Sequence, residues 1–203
     1  MGKGYQILKH AFDTKFLDLF SRDFETVALQ CKPENVFRTK NGDVKQIQNC
    51  QHWRLFYDLG KLIKSIGYDG EIMNMQYFIK HPDYKITSPH QDGAYFDNND
   101  DDILTFWIPL HDVGVKTSTM FYYDWDGKRE ILEHKECGSN LRTRTGKTGV
   151  SQCIPDIPLE LFTPVELKYG DCVVHNQFSV HYSNENSTDK PRVAITCIIK
   201  LKK

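Results

Sequence analysis

The stretch "YGDCVVHNQFSVHYSNENSTDKPRVAITCII", residues 169–199, decides how this chain is read. A Gly-Asp turn (Gly170, Asp171) leads into an apolar strand, "DCVVH", at 171–175. His181 and Ser183 follow, two positions apart. A loop rich in Asn and Ser and closed by Pro191 then gives way to Arg192, which opens the last strand, "RVAITCIIKL", at 192–201. Alternate residues of a strand share a face. The small Ala194 and Thr196 therefore accompany Arg192, while the bulky Val193, Ile195, Cys197 and Ile199 form the opposite, core-facing side. Small neighbours beside a buried arginine leave room for a ligand.

Upstream the same period of two recurs. In "EIMNMQYFI" (71–79), Met73, Met75, Tyr77 and Ile79 share one face, and "DILTFWIPL" (102–110) reads as a fully buried strand. Clusters of Gly, Pro, Asn and Asp mark the breaks: "HPD" at 81–83, "DNNDDD" at 97–102, "YDWDG" at 123–127 and "SNENSTDKP" at 183–191. Nearer the start the period is helical. Phe12, Phe16, Leu19, Phe20, Phe24, Val27 and Ala28 keep three-four spacing behind Asp13, a candidate cap. Trp53, Phe56, Leu59, Leu62, Ile63 and Ile66 form a second run that stops at Gly67. Helices followed by many short strands predict a mainly β domain, an antiparallel sandwich or barrel with helical cover. The expected layout is one domain over 1–203, mainly helical over 1–70, with a β core from 71 and an irregular insertion at about 124–158.

The 203 residues carry 26 Lys+Arg against 27 Asp+Glu, a net charge of −1 that lacks the basic footprint of a nucleic-acid binder. No apolar run reaches the length of a membrane span, and the opening "MGKGYQ" has neither a hydrophobic leader core nor, with Gln6, the myristoylation pattern. The six cysteines form no C-x-x-C pair, which fits reduced thiols in a cytoplasmic protein. The acidic run 100–102 reads as a solvated turn.

Chemistry enters at "SPHQDGAYF", residues 88–96. On a strand, His90 and Asp92 project together and offer one imidazole nitrogen and one carboxylate oxygen to a common point. Two ligands hold a metal poorly. A second histidine from a distant strand would complete a two-histidine, one-carboxylate triad, whose open positions suit Fe(II) and its substrates. Alone, H-x-D is a weak signal; the C-terminal stretch supplies the rest. Arg192 has the planar fork that grips a carboxylate through two charge-assisted hydrogen bonds.

With "HQD" at 90–92, the tryptophan of "LTFWIPL", "GD" at 170–171, "HYS" at 181–183 and Arg192 eleven positions after His181, the chain resembles the phytanoyl-CoA dioxygenase (PhyH) family of Fe(II)- and 2-oxoglutarate-dependent oxygenases. The resemblance implies a double-stranded β-helix (jelly roll) with N-terminal α-helices packed outside the major sheet. It implies that His90, Asp92 and His181 bind Fe(II), that Arg192 and Ser183 hold the distal carboxylate of 2-oxoglutarate, and that Gln91 and Trp107 line the cosubstrate pocket. His175 competes with His181 as third ligand; only His181 has the matching interval to Arg192 and a serine two positions on, so His175 is read as structural.

The implied reaction is oxidation of a small-molecule substrate by O2, with 2-oxoglutarate converted to succinate and CO2 and ascorbate as a stimulant. Asp92 favours hydroxylation over halogenation, which in related enzymes uses a small residue at that place. The segment "DVGVKTSTMFYYDWDGKRE" (112–130) lacks the Asn-Gly and "PGSH"-like signatures of many members, so an acyl-CoA substrate is not implied. Arg142, Arg144 and Lys147 are candidates to greet an anionic metabolite or to form a solvated loop. Two competing readings are a non-catalytic β-helix binding protein and a cupin-like metalloenzyme without 2-oxoglutarate. Arg192 and Ser183 argue against the second, because such a site needs no carboxylate anchor.

Overall fold

A computed structural model describes residues 3–21, 24–82, 84–96, 102–124, 128–137 and 152–202. Thirteen strands and three helices follow in the order β1 (Tyr5–Leu8), α1 (Thr14–Ser21), α2 (Phe24–Gln30), β2 (Val36–Arg38), β3 (Val44–Ile47), α3 (Arg54–Ser65), β4 (Gly70–Lys80), β5 (Thr87–His90), β6 (Ile103–Pro109), β7 (Met120–Tyr123), β8 (Lys135–Glu136), β9 (Gln152–Cys153), β10 (Phe162–Pro164), β11 (Cys172–Asn176), β12 (His181–Ser183) and β13 (Arg192–Leu201). The major sheet runs β1-β11-β6-β13-β4-β3-β2 and the minor sheet β10-β7-β12-β5, all pairings antiparallel. The fold is a jelly roll with helices outside the major sheet.

The period-two reading explains the layering. Met75, Tyr77 and Ile79 of β4 and Ile195, Cys197 and Ile199 of β13 share one cluster with Leu17, Phe20, Phe56, Leu59 and Ile63 of the helices. That outer face is the main core, each large side chain contributing about 1.5–3 kcal/mol on burial. The opposite face of the same strands looks into the roll and carries Lys80, Phe78 and Gln76 of β4 beside Arg192, Thr196 and Ile198 of β13. Asp13 caps α1 by accepting the Lys15 backbone N–H at 2.9 Å. Gly67 closes α3 at φ +100°, a conformation that favours glycine.

The structure adds detail to four of these expectations. The first seventy residues hold β1, β2 and β3 as well as helices, because strands of three or four residues are too short to impose a visible period. Leu19 is 45% exposed: α1 starts only at Thr14, so Leu17 and Phe20 make its buried stripe and Leu19 turns outward. Met73 is 39% exposed, although it shares the parity of Met75. In the irregular insertion, β8 and β9 form a two-stranded ladder, and the Ile154 N–H donates to the Pro89 carbonyl at 2.8 Å, tying this segment to β5. Arg142, Arg144 and Lys147 lie outside the described residues. Asp102, described from the acidic run, ion-pairs with Arg129 at 2.8 Å.

Candidate metal centre and carboxylate pocket

β12 lies against β5 with His181 directly opposite His90. Both imidazoles are held by the same local device. The Nδ1 of His90 donates to the Ser88 carbonyl at 2.8 Å, and the Nδ1 of His181 to the Ser179 carbonyl at 2.9 Å, each two residues upstream. This network assigns the proton to Nδ1 and leaves both Nε2 lone pairs facing inward. β5 ends at His90, Gln91 remains extended (φ −118°, ψ 134°), and Asp92 opens a 3-10 turn. The residues two apart thus converge as the strand reading expects, although Asp92 itself lies just past the strand. Its Oδ1 sits 3.8 Å from His90 Nε2 and 3.7 Å from His181 Nε2. One ligand atom from each of the three lies within 4.8 Å of the others.

The second carboxylate oxygen is occupied. Asp92 Oδ2 accepts from Thr105 Oγ1 at 2.6 Å and from His175 Nε2 at 3.1 Å. The Tyr122 hydroxyl in turn donates to His175 Nδ1 at 2.8 Å. His175 therefore orients the carboxylate from behind and is not one of the three converging groups. Burial alone would push the Asp92 carboxyl up, yet the His175 hydrogen bond and the surrounding imidazoles hold it well below the usual carboxylate range. Burial lowers both His90 and His181, which keeps them neutral, the form that coordinates a metal. The donor set fits a divalent metal: two oriented neutral imidazoles and an ionised carboxylate with one oxygen committed to the protein and one turned to the centre.

Arg192 lies in the same cavity, 4% exposed. Its Nε donates to the Ser118 carbonyl at 3.1 Å and its Nη1 to the Phe78 carbonyl at 3.3 Å, while the guanidinium lies 5.3 Å from the centre of the Trp107 ring. Burial brings it down to about 10. Ser183 and Trp107 line the cavity beside it. Gln91 does not. Its amide donates to the carbonyls of Glu130 (2.8 Å) and Phe178 (2.7 Å), and its Oε1 accepts from the Leu132 N–H at 2.8 Å. Parity explains the difference: neighbours of the converging His90 and Asp92 point the other way, so Gln91 braces the 130–134 segment behind the centre.

Sequence reasoning missed Lys80, Tyr122, Thr105 and Gln46. Lys80 was within reach, since the parity that sends Met75, Tyr77 and Ile79 to the core sends Gln76, Phe78 and Lys80 inward. Thr105 and Tyr122 gave no signal, because they act through register partners on other strands.

Comparisons agree with this architecture. The family model described as "Phytanoyl-CoA dioxygenase (PhyH)" matches residues 9–194. No curated protein sequence gives a match. Among solved structures, EvdO2 from Micromonospora carbonacea var. aurantiaca, complexed with 2-oxoglutarate, superposes with TM-score 0.73 at 18% identity, covering 99% of this chain and 87% of that one. The epimerase SnoN, in complex with Fe3+, alpha ketoglutarate and nogalamycin RO, gives TM-score 0.72 at 18% identity, covering 98% and 79%. The carbocyclase SnoK from nogalamycin biosynthesis gives 0.69 at 19%, covering 98% and 80%. At these identities the likeness establishes the fold. With the family model spanning most of its length, the chain belongs to the phytanoyl-CoA dioxygenase (PhyH) family of Fe(II)/2-oxoglutarate-dependent oxygenases.

Proposed function

We propose that this protein hydroxylates a small-molecule substrate with release of succinate and CO2, acting as a single oxygenase domain. One observation carries the reading: a ligand triad and a buried guanidinium open into the same cavity. His90, Asp92 and His181 would hold Fe(II), which, with 2-oxoglutarate and O2, supplies the oxidising power to functionalise a C–H bond. Arg192 and Ser183 would fix the distal carboxylate, so that the cosubstrate is aimed before reaction and its orientation costs no further entropy. Trp107 walls this end against water. Asp92 leaves no coordination place for a halide, which favours hydroxylation.

The cavity is also lined by Gln46, Gln76, Tyr95 and Phe96, a mixed aromatic and amide surface suited to a neutral or polar small molecule. The fold is shared with an epimerase and a carbocyclase, so these residues are where a different oxidative outcome would be selected. Six cysteines with no disulfide among them support a reducing, cytoplasmic location, and no described helix is long and apolar enough to cross a membrane.

The test supplies purified protein with Fe(II), 2-oxoglutarate, ascorbate and O2, and measures succinate alone and across a metabolite panel. Succinate above background is expected, rising with the true substrate together with a product one oxygen heavier. Asp92→Ala and His181→Ala should fall to background; succinate formation unchanged in either would defeat the proposal.

A further inference from the structure

Lys80 ends β4 and Arg192 opens β13, and the two are direct partners across that strand pair. Both side chains lie inside the protein, 3% and 4% exposed. Neither forms an ion pair with a carboxylate among the described residues. Lys80 Nζ lies within hydrogen-bond distance of three oxygens, the Ser183 carbonyl (3.1 Å) and hydroxyl (3.0 Å) and the Asn184 carbonyl. Arg192 donates to the carbonyls of Ser118 and Phe78. The acidic group that acts on Lys80 is Glu185, exposed on the loop after β12, and its effect is smaller than that of Arg192. The same cavity is also lined by the titratable Lys45 from β3, Tyr84 from the β4–β5 connection, Tyr95, and the cluster of His90, Asp92, His175 and His181. Lys80 and Arg192 thus place two cationic side chains side by side at this end of the cavity.

Two buried like charges without a counter-ion cannot both persist, and a guanidinium keeps its proton where an ammonium yields. The three oxygens around Nζ nevertheless match the three donors of an ammonium. What the site lacks is a negative charge, not a place for the proton. We propose that Lys80 is the proton-accepting second cation of this pocket: an anionic carboxylate gripped by Arg192 and Ser183 binds together with one proton, which is held on Lys80 Nζ. Burial first, and Arg192 second, bring the empty-site Lys80 down to about 6, so at neutral pH the proton must arrive with the ligand. Because Nζ also holds the hydroxyl and carbonyl of Ser183, protonation would fix the serine that contacts the carboxylate. Lys80 is thus a positioning residue, and 2-oxoglutarate is the ligand it answers to, given the cosubstrate reading above.

Anaerobic, Mn(II)-loaded protein is titrated calorimetrically with 2-oxoglutarate at pH 7.5, in two buffers of low and high ionisation enthalpy. The heats should differ by the uptake of close to one proton per ligand, and affinity should weaken by about tenfold between pH 7 and pH 8. Lys80→Met should bind with buffer-independent heat and a flat pH profile. Lys80→Arg, which keeps a permanent cation and is the arm to rely on if the Met variant fails to fold, should also take up no proton. Tight wild-type binding without proton uptake overturns the role of Lys80 and leaves the cosubstrate reading intact. Uptake that persists in either variant does the same. Absence of 2-oxoglutarate binding to the wild type overturns both.

Discussion

His175 Nε2 donates to Asp92 Oδ2 across 3.1 Å, and this contact decides which carboxylate oxygen is free for the metal. Thr105 takes the same oxygen at 2.6 Å, so Oδ1 alone is left facing His90 and His181. The direction of the hydrogen bond is fixed further back: Tyr122 donates to His175 Nδ1, so the ring proton resides on Nε2. Three residues from β6, β7 and β11 of two different sheets thus orient one ligand.

Replacing His175 by Ala leaves all three converging groups in place but removes the support of Asp92. Metal affinity should fall by about 10- to 100-fold, as loss of such partners does elsewhere. Tyr122→Phe, which releases only the tautomer of His175, should cost less. Titration with Co(II), followed by its visible absorption, measures both; equal affinity in wild type and His175→Ala would remove the orienting role.

A metal bound by the folded chain alone must stabilise it. At a hundredfold excess over Kd the gain is about 2.7 kcal/mol, or roughly 5–10 °C in Tm for a chain of this length. Thermal unfolding with and without Mn(II) should show this shift, and EDTA should reverse it. In Asp92→Ala the shift should vanish.

The sequence shows the triad and Arg192 because each sits in a short pattern of fixed interval: His90 and Asp92 two apart, His181 and Ser183 two apart, Arg192 eleven further on. It shows β4 and β13 because their long runs impose a period on the core face, and β6 and β11 because they are continuous apolar runs bounded by turn residues. It is silent on β1, β2 and β3, too short for a period, and on Thr105 and Tyr122, whose meaning comes from strand register. The family resemblance implies a pocket-lining Gln91, whereas a residue between two convergent ligands on extended backbone points the opposite way.

Gln91 provides a direct check on that correction. Its side chain makes three hydrogen bonds with the backbone of Glu130, Leu132 and Phe178, the last fully buried. Gln91→Leu would strand those groups at a cost of about 2–4 kcal/mol, lowering Tm by roughly 5–15 °C. Affinity for 2-oxoglutarate should not change. A large loss of affinity with normal Tm would return Gln91 to the pocket.

The role proposed for Arg192 predicts the reverse pattern. Arg192→Met keeps an unbranched apolar stem and removes the guanidinium and its charge, so the bound carboxylate loses its buried partner. The expected weakening is about 2–4 kcal/mol, roughly 30- to 1000-fold in Kd. Tm should fall less than in Gln91→Leu, because only the Ser118 and Phe78 carbonyls lose a donor and, without Arg192, Lys80 can keep its proton more easily. Equilibrium binding of 2-oxoglutarate to anaerobic, metal-loaded protein reads the first effect and unfolding of the unloaded protein the second.

Without ligand, Lys80 should make the fold more stable as pH rises. Its ordinary pKa of 10.5 falls to about 6 in the folded chain, from burial first and Arg192 second. Between those values the unfolded chain carries a proton that the folded chain does not. Stability increases with pH wherever the unfolded state binds more protons, so this contribution is most unfavourable below about pH 6 and fades towards pH 10.5. Other titrating groups are common to wild type and Lys80→Met, so the difference between their unfolding free energies isolates Lys80. That difference should shift in favour of the wild type as pH is raised from 6.5 to 9. A constant difference would mean that Lys80 keeps its proton in the empty site, with Arg192 and burial too weak to displace it.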